Sequence, residues 1–274
     1  MKNKVHDTEK KVANRIFAAR GDLDDVLFHS YFIDGQRIHF ESFKEGNEIS
    51  SGVIDMWAYI LNQEEEKKST GSLKKLYCHT SIITAEMEER SYNSKANKSK
   101  FEENMNNLIF LSPVYQSIRD VDLRYLFLKF LKDNGYPHFK ALDDYKVANV
   151  KMPWQTNNNY VDCGIFAMRH METYLGNKDF DAGFVPEGKE QKKQIEDLRK
   201  KYLTKILLSG YNENRHVVES EIEEYQCLTL REKRMLQNKS AKNIAERASD
   251  YFDKEASALL KKNSKQSDLI VCYG

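Results

Sequence analysis

The sequence has no long apolar run and almost no surplus of charge of either sign. Its 43 Lys and Arg residues nearly balance its 42 Asp and Glu residues. This balance gives no electrostatic case for binding nucleic acid or an acidic membrane face. No run is long enough to span a membrane, and residues 1–7 lack the apolar core of a signal peptide. We therefore expect neither a nucleic-acid partner nor a membrane partner.

Cysteine is scarce as well. The four cysteines are scattered without the spacing of metal ligands or of a disulfide framework; they are Cys78, Cys163, Cys227 and Cys272. Thiols without a framework are typical of a reducing compartment, so we expect a nuclear or cytoplasmic location. The sequence also contains no glycine-rich phosphate loop, metal cluster or repeat. We therefore predict no cofactor and no metal site.

The stretch between Met152 and His170 is the most informative part of the sequence. Loop-forming residues, among them Pro153 and an Asn triplet, precede Cys163, and apolar residues at helical spacing follow it. This pattern predicts a buried helix with Cys163 at its start and Asp162 at its N-cap, where the carboxylate accepts hydrogen bonds from first-turn N–H groups. The helix N-terminus favours a thiolate at Cys163, whereas the adjacent Asp162 carboxylate opposes it.

These residues alone leave two interpretations of Cys163. A lone cysteine at a helix start is more often a small buried hydrophobe than a nucleophile. A nucleophile that attacks a carbonyl needs a donor for the oxyanion that forms. The side-chain amide of Gln155, on the approach loop, could supply that donor.

The wider pattern around Cys163 favours the nucleophile. Trp154-Gln155 is followed, after six residues, by Asp162-Cys163-Gly164 and then by an apolar helix. The pattern resembles the nucleophile segment of the ubiquitin-like protease family, the cysteine peptidases that process SUMO and related modifiers, above all its plant, transposon-associated branch. The resemblance implies that Cys163 is the nucleophile and that Gln155 forms the oxyanion hole. The sequence V-I-D-x-W-x-x-x-L-N at residues 53–62 resembles the helix that begins the same protease domain.

The resemblance also implies a fold and a partner. The implied fold is α+β: a papain-like cysteine peptidase domain at residues 25–209, in which a helical subdomain carrying Cys163 faces a small, incomplete sheet. Residues 1–24 would form a charged N-terminal extension, and residues 210–274 a charged helical tail. The implied partner is a ubiquitin-like modifier of the SUMO type or one of its conjugates, and we expect the chain to be a monomer.

The resemblance is interrupted between Val114 and Asp122. In the family, the strand that corresponds to residues 108–114 leads into a hairpin carrying the catalytic His, and a later strand carries the Asp that orients it; this sequence has neither at that place. His138 is the only histidine between that strand and Cys163, and it does not match the family's position. His170 is about two helical turns after Cys163, roughly 10 Å away and too far for a hydrogen bond.

Taken together, these patterns predict a cysteine-type peptidase or isopeptidase of the ubiquitin-like protease family with impaired activity. Cys163 and Gln155 are its predicted site residues, and His138 is the remaining candidate for the base. The alternatives are a catalytically dead pseudoprotease that still binds the modifier, and a non-functional partial product.

Local patterns predict two elements in the first quarter of the chain. Asp34-Gly35 stands between two apolar runs and predicts the turn of a hairpin or short strand pair. The apolar positions within residues 53–61 fall on one helical face and predict a core helix, with Ser50 or Ser51 as its cap.

The remaining segments give simpler expectations. The first 20 residues are charged and have little to bury. The other predicted elements are a solvated linker at 63–72, strands at 108–114 and 147–152, a helix from residue 122 that stops at Asn134-Gly135, a helix at 189–208 and a helical stretch at 228–260.

Overall fold

The computed structural model of the chain describes residues 5–18, 20–69, 72, 75–82, 99–105, 130–135, 152–156, 159, 161–175, 180–237 and 251. Within these residues the fold is mainly helical, with one two-stranded antiparallel sheet, which confirms the α+β class. The elements are α1 (Asp7–Ile16), β1 (Val26–His29), β2 (Asp34–Gln36), α2 (Arg37–Glu41), α3 (Ser51–Glu66), α4 (Cys163–Thr173), α5 (Lys189–Leu207) and α6 (Arg215–Cys227). Residues 99–105, 130–133 and 230–237 are also helical.

Several predicted features lie outside the described residues. They include the strand at 108–114, all but the last residue of the strand at 147–152, the interval between Val114 and Asp122, and His138. The papain-like arrangement of the sheet therefore stays a prediction. In the part of the chain that the structure describes, no helix is both long and apolar enough to cross a lipid bilayer.

The hairpin is present, but its turn is not where the sequence predicts it. Asp34 and Gly35 belong to β2, where they pair with β1, and the chain reverses at residues 30–33. The Ser30 backbone N–H and hydroxyl both donate to the Ile33 carbonyl, at 3.2 and 3.1 Å, and these bonds close the turn. Gly35 serves packing instead, because a Cβ at this position would lie 2.2 Å from the Met56 sulfur on α3.

Helix α3 forms as its apolar pattern predicts. Val53, Trp57, Ile60 and Leu61 are buried. Ser50 is the N-cap residue, but its hydroxyl makes no capping bond and lies 2.8 Å from His39 Nδ1 instead. The helix continues to residue 66, so the predicted linker begins too early.

Polar side chains of α3 hold the segment that follows it. Asn62 exchanges two 2.9 Å hydrogen bonds with the backbone of Tyr77. The buried Glu65 accepts from the Lys75 backbone N–H at 3.0 Å, and Asp55 accepts from Thr80. These contacts fix residues 75–80 along α3 by satisfying backbone groups that no strand or helix pairs there.

The hydrophobic core includes residues of the first helix, α1, and of the late helix α6. Val12, Ala13 and Ile16 of α1 are buried, and α1 packs against α5 and α6. The expectation that the first 20 residues have little to bury is therefore wrong. Val218 of α6 belongs to the same core. The core thus extends across residues 24 and 209, while the domain boundaries at those positions stay a prediction.

Candidate functional site

Cys163 is the first residue of α4, and it is exposed. Ile165 and Met168 are buried on the face of α4 that packs against α3. The Trp57 indole N–H on α3 donates to the Met168 carbonyl at 3.2 Å. The predicted helix start is thus confirmed, and the exposed thiol excludes the interpretation of Cys163 as a buried hydrophobe.

Gly164 lets the first turn of α4 approach the segment before α3. A Cβ at Gly164 would lie 2.6 Å from the Cβ of Ile49, closer than real Cβ contacts come. The residue after Cys163 is therefore a glycine for reasons of space. This contact fixes the start of α4 against the chain that leads into α3.

Asp162 occupies the N-cap position, but its carboxylate does not cap the helix. It accepts from Arg199 Nε at 2.9 Å, from Arg199 Nη2 at 2.5 Å and from the Asn159 amide at 2.8 Å. The prediction that this carboxylate accepts from first-turn N–H groups is wrong. Both Arg199 nitrogens donate to the same carboxylate oxygen, Oδ1, and a charged partner competes better for a carboxylate than neutral backbone donors do.

Arg199 is the residue that sequence reasoning missed. It is on α5, its side chain is 2% exposed, and its other hydrogen bonds go to the carbonyls of Ser42, Lys44 and Asn47. The available signal was its place in the apolar stripe of α5, four residues after Ile195 and four before Leu203. An arginine in such a stripe must be paired, because an unpaired buried charge is very costly.

The ion pair changes the electrostatics of the site. Asp162 was expected to oppose a thiolate at Cys163, but the Arg199 guanidinium compensates its negative charge. The charge beside Cys163 at the N-terminus of α4 is thus paired and not free.

Gln155 lies on a turn that Trp154 anchors. The Gln155 backbone N–H donates to the Met152 carbonyl at 3.0 Å, and the Gln155 side chain is exposed. Trp154 is buried; its indole N–H donates to His170 Nε2 at 3.3 Å, and its carbonyl accepts from the Gln191 amide at 2.9 Å. Among the described residues no side-chain hydrogen bond holds the Gln155 amide.

His170 is occupied within this anchor. Because Nε2 accepts from the Trp154 indole, that nitrogen carries no proton. Burial lowers the pKa of His170, so the ring stays neutral. The two-turn separation from Cys163 and the bond to Trp154 leave His170 in a structural role, as the sequence indicates.

The other described histidines have partners away from Cys163. His39 Nδ1 lies 2.8 Å from the Ser50 hydroxyl, and His29 Nδ1 lies 2.6 Å from Asp34. Burial lowers the pKa of His79, which faces Asp55. Within the described ranges, the structure brings no histidine into hydrogen-bond contact with Cys163.

The other two described cysteines, Cys78 and Cys227, differ from Cys163 in their environment or in their position. Burial raises the pKa of Cys78 to about 12, which makes its thiol inert at neutral pH. Cys227, the last residue of α6, is exposed. No group of three or more potential metal ligands is found among the residues that the structure describes.

The site as described contains an exposed thiol at a helix start, a compensated carboxylate beside it and an exposed amide on an anchored turn. A thiol of this kind can attack an electrophilic carbonyl and form a thioester when a group that accepts its proton is present. No protein-family model matches the chain, and no curated protein matches it either.

Proposed function

We propose that the chain is a cysteine-type peptidase or isopeptidase of the ubiquitin-like protease type that acts through Cys163 with impaired turnover. The observation that carries the proposal is the exposed Cys163 at the start of α4, with the Asp162 charge compensated by Arg199. Reactive cysteines are typically exposed and lie at helix N-termini.

The fold that goes with this function is papain-like. Such a domain places its nucleophile at the start of a central helix in a helical half, opposite a sheet. The packing of α4 between α3 and α5 supports the helical half of that arrangement. The sheet that would face it corresponds to residues outside the described ranges.

The proposed chemistry begins with attack of the Cys163 thiolate on the carbonyl carbon of the last residue of the modifier, which is joined to the leaving amine. The Gln155 amide donates to the oxyanion of the tetrahedral intermediate, which collapses to a thioester as the amine leaves. Water then hydrolyses the thioester. Since none of the described histidines contacts Cys163 to take the thiol proton and return it to the leaving amine, we expect each step to be slow. The reaction still starts, because a few per cent of a cysteine is thiolate near pH 7.

The proposed partner is a ubiquitin-like modifier of the SUMO type, either as a precursor or as a conjugate. A modifier with a C-terminal electrophile tests this directly. We expect a covalent adduct on Cys163, located by peptide mass mapping, and no measurable cleavage of SUMO or ubiquitin conjugates. Cys163→Ala should abolish the adduct, and the matched change of Cys227, the other exposed thiol among the described residues, to Ala should not.

Three outcomes would change this conclusion. An adduct on Cys227 in place of Cys163, or no adduct with any modifier, would refute the assignment. Fast cleavage by the unchanged chain that is lost in His138→Ala would identify His138 as the base and show an unimpaired enzyme.

A pseudoprotease is the second candidate. The observation that favours it is the commitment of His170 to Trp154, with no other described histidine against Cys163. Calorimetric titration of an unmodified modifier into Cys163→Ala tests it. Saturable binding, together with no adduct in the unchanged chain, would favour the pseudoprotease. A non-functional partial product would neither bind nor react.

A further inference from the structure

Arg199 joins three separate parts of the chain at one buried point. It belongs to α5, it binds the carboxylate of the residue before Cys163, and it donates to three carbonyls in residues 42–47, the loop between α2 and α3. With 2% of its side chain exposed, it is shielded from water and salt. A guanidinium with this many oriented partners fixes geometry as well as charge, because its donors form a rigid fork.

The loop that leads to Cys163 is held in place by Arg199. Asp162 is held by Arg199 on one side and by Asn159 on the other, since the Asn159 amide donates to the Asp162 carboxylate at 2.8 Å and its oxygen accepts from the Asp162 N–H at 3.1 Å. The Asp162 carbonyl in turn accepts from the N–H groups of Ile165 and Phe166 and starts the helix. Moving Arg199 therefore moves the residue to which Cys163 is attached.

We propose that Arg199 is a positioning residue for Cys163: it draws the Asp162 carboxylate away from the first turn of α4 and neutralises it beside the thiol. The inference rests on the proposed function only in taking Cys163 as the reacting group. Without Arg199, Asp162 carries an uncompensated negative charge next to the sulfur, and a thiolate there is disfavoured by like-charge repulsion.

The chain offers a matched control. Arg37 is equally buried, at 0% side-chain exposure, and is also paired with carboxylates, those of Asp25 and Glu221. Its partners belong to the hairpin side of the molecule and to α6, not to the loop before Cys163. Arg37→Met thus removes a buried charge and its ion pairs without touching Asp162.

The experiment measures the rate at which iodoacetamide alkylates Cys163 in the native chain, followed by peptide mapping. At pH 7 we expect Arg199→Met to slow alkylation by at least about fivefold, and Arg37→Met to change it by less than about twofold. The double variant Arg199→Met/Asp162→Asn should recover the original rate to within about twofold, because both charges are then absent. A double variant as slow as Arg199→Met would overturn the proposal.

The pH profile separates charge from access. The factor by which Arg199→Met slows alkylation should shrink as the pH rises from 7 to about 10, whereas a purely structural change in access would give the same factor at every pH. If Arg199→Met does not fold, Asp162→Asn alone decides. The uncompensated Arg199 should then speed alkylation at pH 7 by about threefold or more, and an unchanged rate would refute the proposal.

This test is independent of any modifier. A chain whose Cys163 alkylation depends on Arg199 but which never forms an adduct with a modifier refutes the proposed function and leaves the inference standing. Adduct formation that is indifferent to Arg199→Met has the opposite meaning: the function stands and the inference fails.

Discussion

Among the described residues two arginine side chains are fully buried, and their partners differ in kind: Arg199 is paired with the residue before Cys163, and Arg37 with carboxylates near the hairpin and on α6. Arg199 binds one carboxylate and three backbone carbonyls. Arg37 binds two carboxylates and the Asp22 carbonyl, while its Nη1 has no partner among the described residues. Arg199 thus fixes a loop through backbone carbonyls, and one carboxylate balances its charge. Arg37 joins separate elements through two ion pairs.

The ion pairs around Arg37 are dense. Glu221 of α6 bridges Arg37 at 2.6 Å and Arg15 of α1 at 2.8 Å, and burial lowers the pKa of Arg15. Arg15 therefore depends on this largely buried carboxylate, and Arg37 shares its charge between Glu221 and Asp25. Buried ion pairs add little compared with apolar packing, but breaking one leaves a charge uncompensated. The hairpin side should thus be the more fragile of the two regions, while the Cys163 side should be the one that affects reactivity.

The largest expected effect is that of Glu221→Gln. It leaves Arg15 without its ion-pair partner and Arg37 with Asp25 alone, and it should lower the free energy of unfolding by about 4 kcal/mol, measured by urea denaturation. Alkylation of Cys163 should be unchanged. Glu219→Gln, which breaks only the exposed pair with Arg215, is the control and should cost less than about 0.5 kcal/mol. Slower Cys163 alkylation in Glu221→Gln would show that the two regions are coupled.

A pair of glycines tests the same contrast through the backbone. Gly21 has φ +109°, and a Cβ there would lie 2.6 Å from Arg37 Nε; Gly46, in the loop held by Arg199, has φ +84° with open space around it. Gly21→Ala should cost about 3 kcal/mol, because strain adds to a clash with a guanidinium that cannot move freely. Gly46→Ala should cost only the strain, about 1 kcal/mol. Equal losses in the free energy of unfolding would mean that the Arg37 side chain moves away from the new methyl group at little cost.

Acidification should act on the two regions with opposite signs. Burial lowers the pKa of His170, so the folded state binds fewer protons than the unfolded state, and the contribution present above pH 6.5 is lost as the pH falls below it. The hydrogen bond to Asp34 raises the pKa of the exposed His29, so its contribution is present below pH 6.5 and is lost as the pH rises through the folded-state pKa.

Urea midpoints at pH 5 and pH 8 test these signs. Relative to the unchanged chain, His170→Gln should lose less stability at pH 5, since glutamine still accepts from Trp154 and does not titrate. His29→Gln should lose more at pH 5. The same pH response in both variants would contradict the assignment of the two rings.

The smallest expected effect on stability is that of Cys163→Ala. The side chain is exposed at the first position of α4, so the free energy of unfolding should change by less than about 0.5 kcal/mol. Reaction with an electrophilic modifier should nevertheless disappear. A loss of several kcal/mol would instead identify Cys163 as a packing residue and weaken the contrast with the hairpin side.

Much of the described helical structure follows from local patterns. The apolar face of α3, the start of α4 at Cys163 and the helix end at Asn134 and Gly135 are confirmed; Gly135 has φ +71°, the left-handed conformation that ends helices. The predicted helix between residues 122 and 129 lies outside the described residues. The hairpin is confirmed as an element, although Asp34 and Gly35 pair within it rather than turn. A Ser30 hydroxyl that bonds to Ile33 closes the turn without the dipeptide.

Some features of the candidate site can likewise be predicted from the local sequence, and others cannot. Cys163 at a helix start and Gln155 on a loop can be read from residue order, because both depend on neighbours a few positions away. The pairing of Asp162 with Arg199 cannot, since the two residues are far apart in sequence and the contact depends on how α5 packs. The residues around Asp162 indicate only the nearest free N–H groups as hydrogen-bond partners of its carboxylate, and this prediction is wrong.

The sequence by itself determined where α3 and α4 begin and which of their faces is apolar, since periodicity and turn residues act over one or two helical turns. Only the tertiary structure decided that α1 joins the core, that Gly35 and Gly164 are sites of close approach, and that Arg199 compensates the charge beside Cys163. The physical reason is that burial and charge pairing depend on which distant elements meet. Those partners are chosen by the packing of the whole molecule and not by neighbours along the chain.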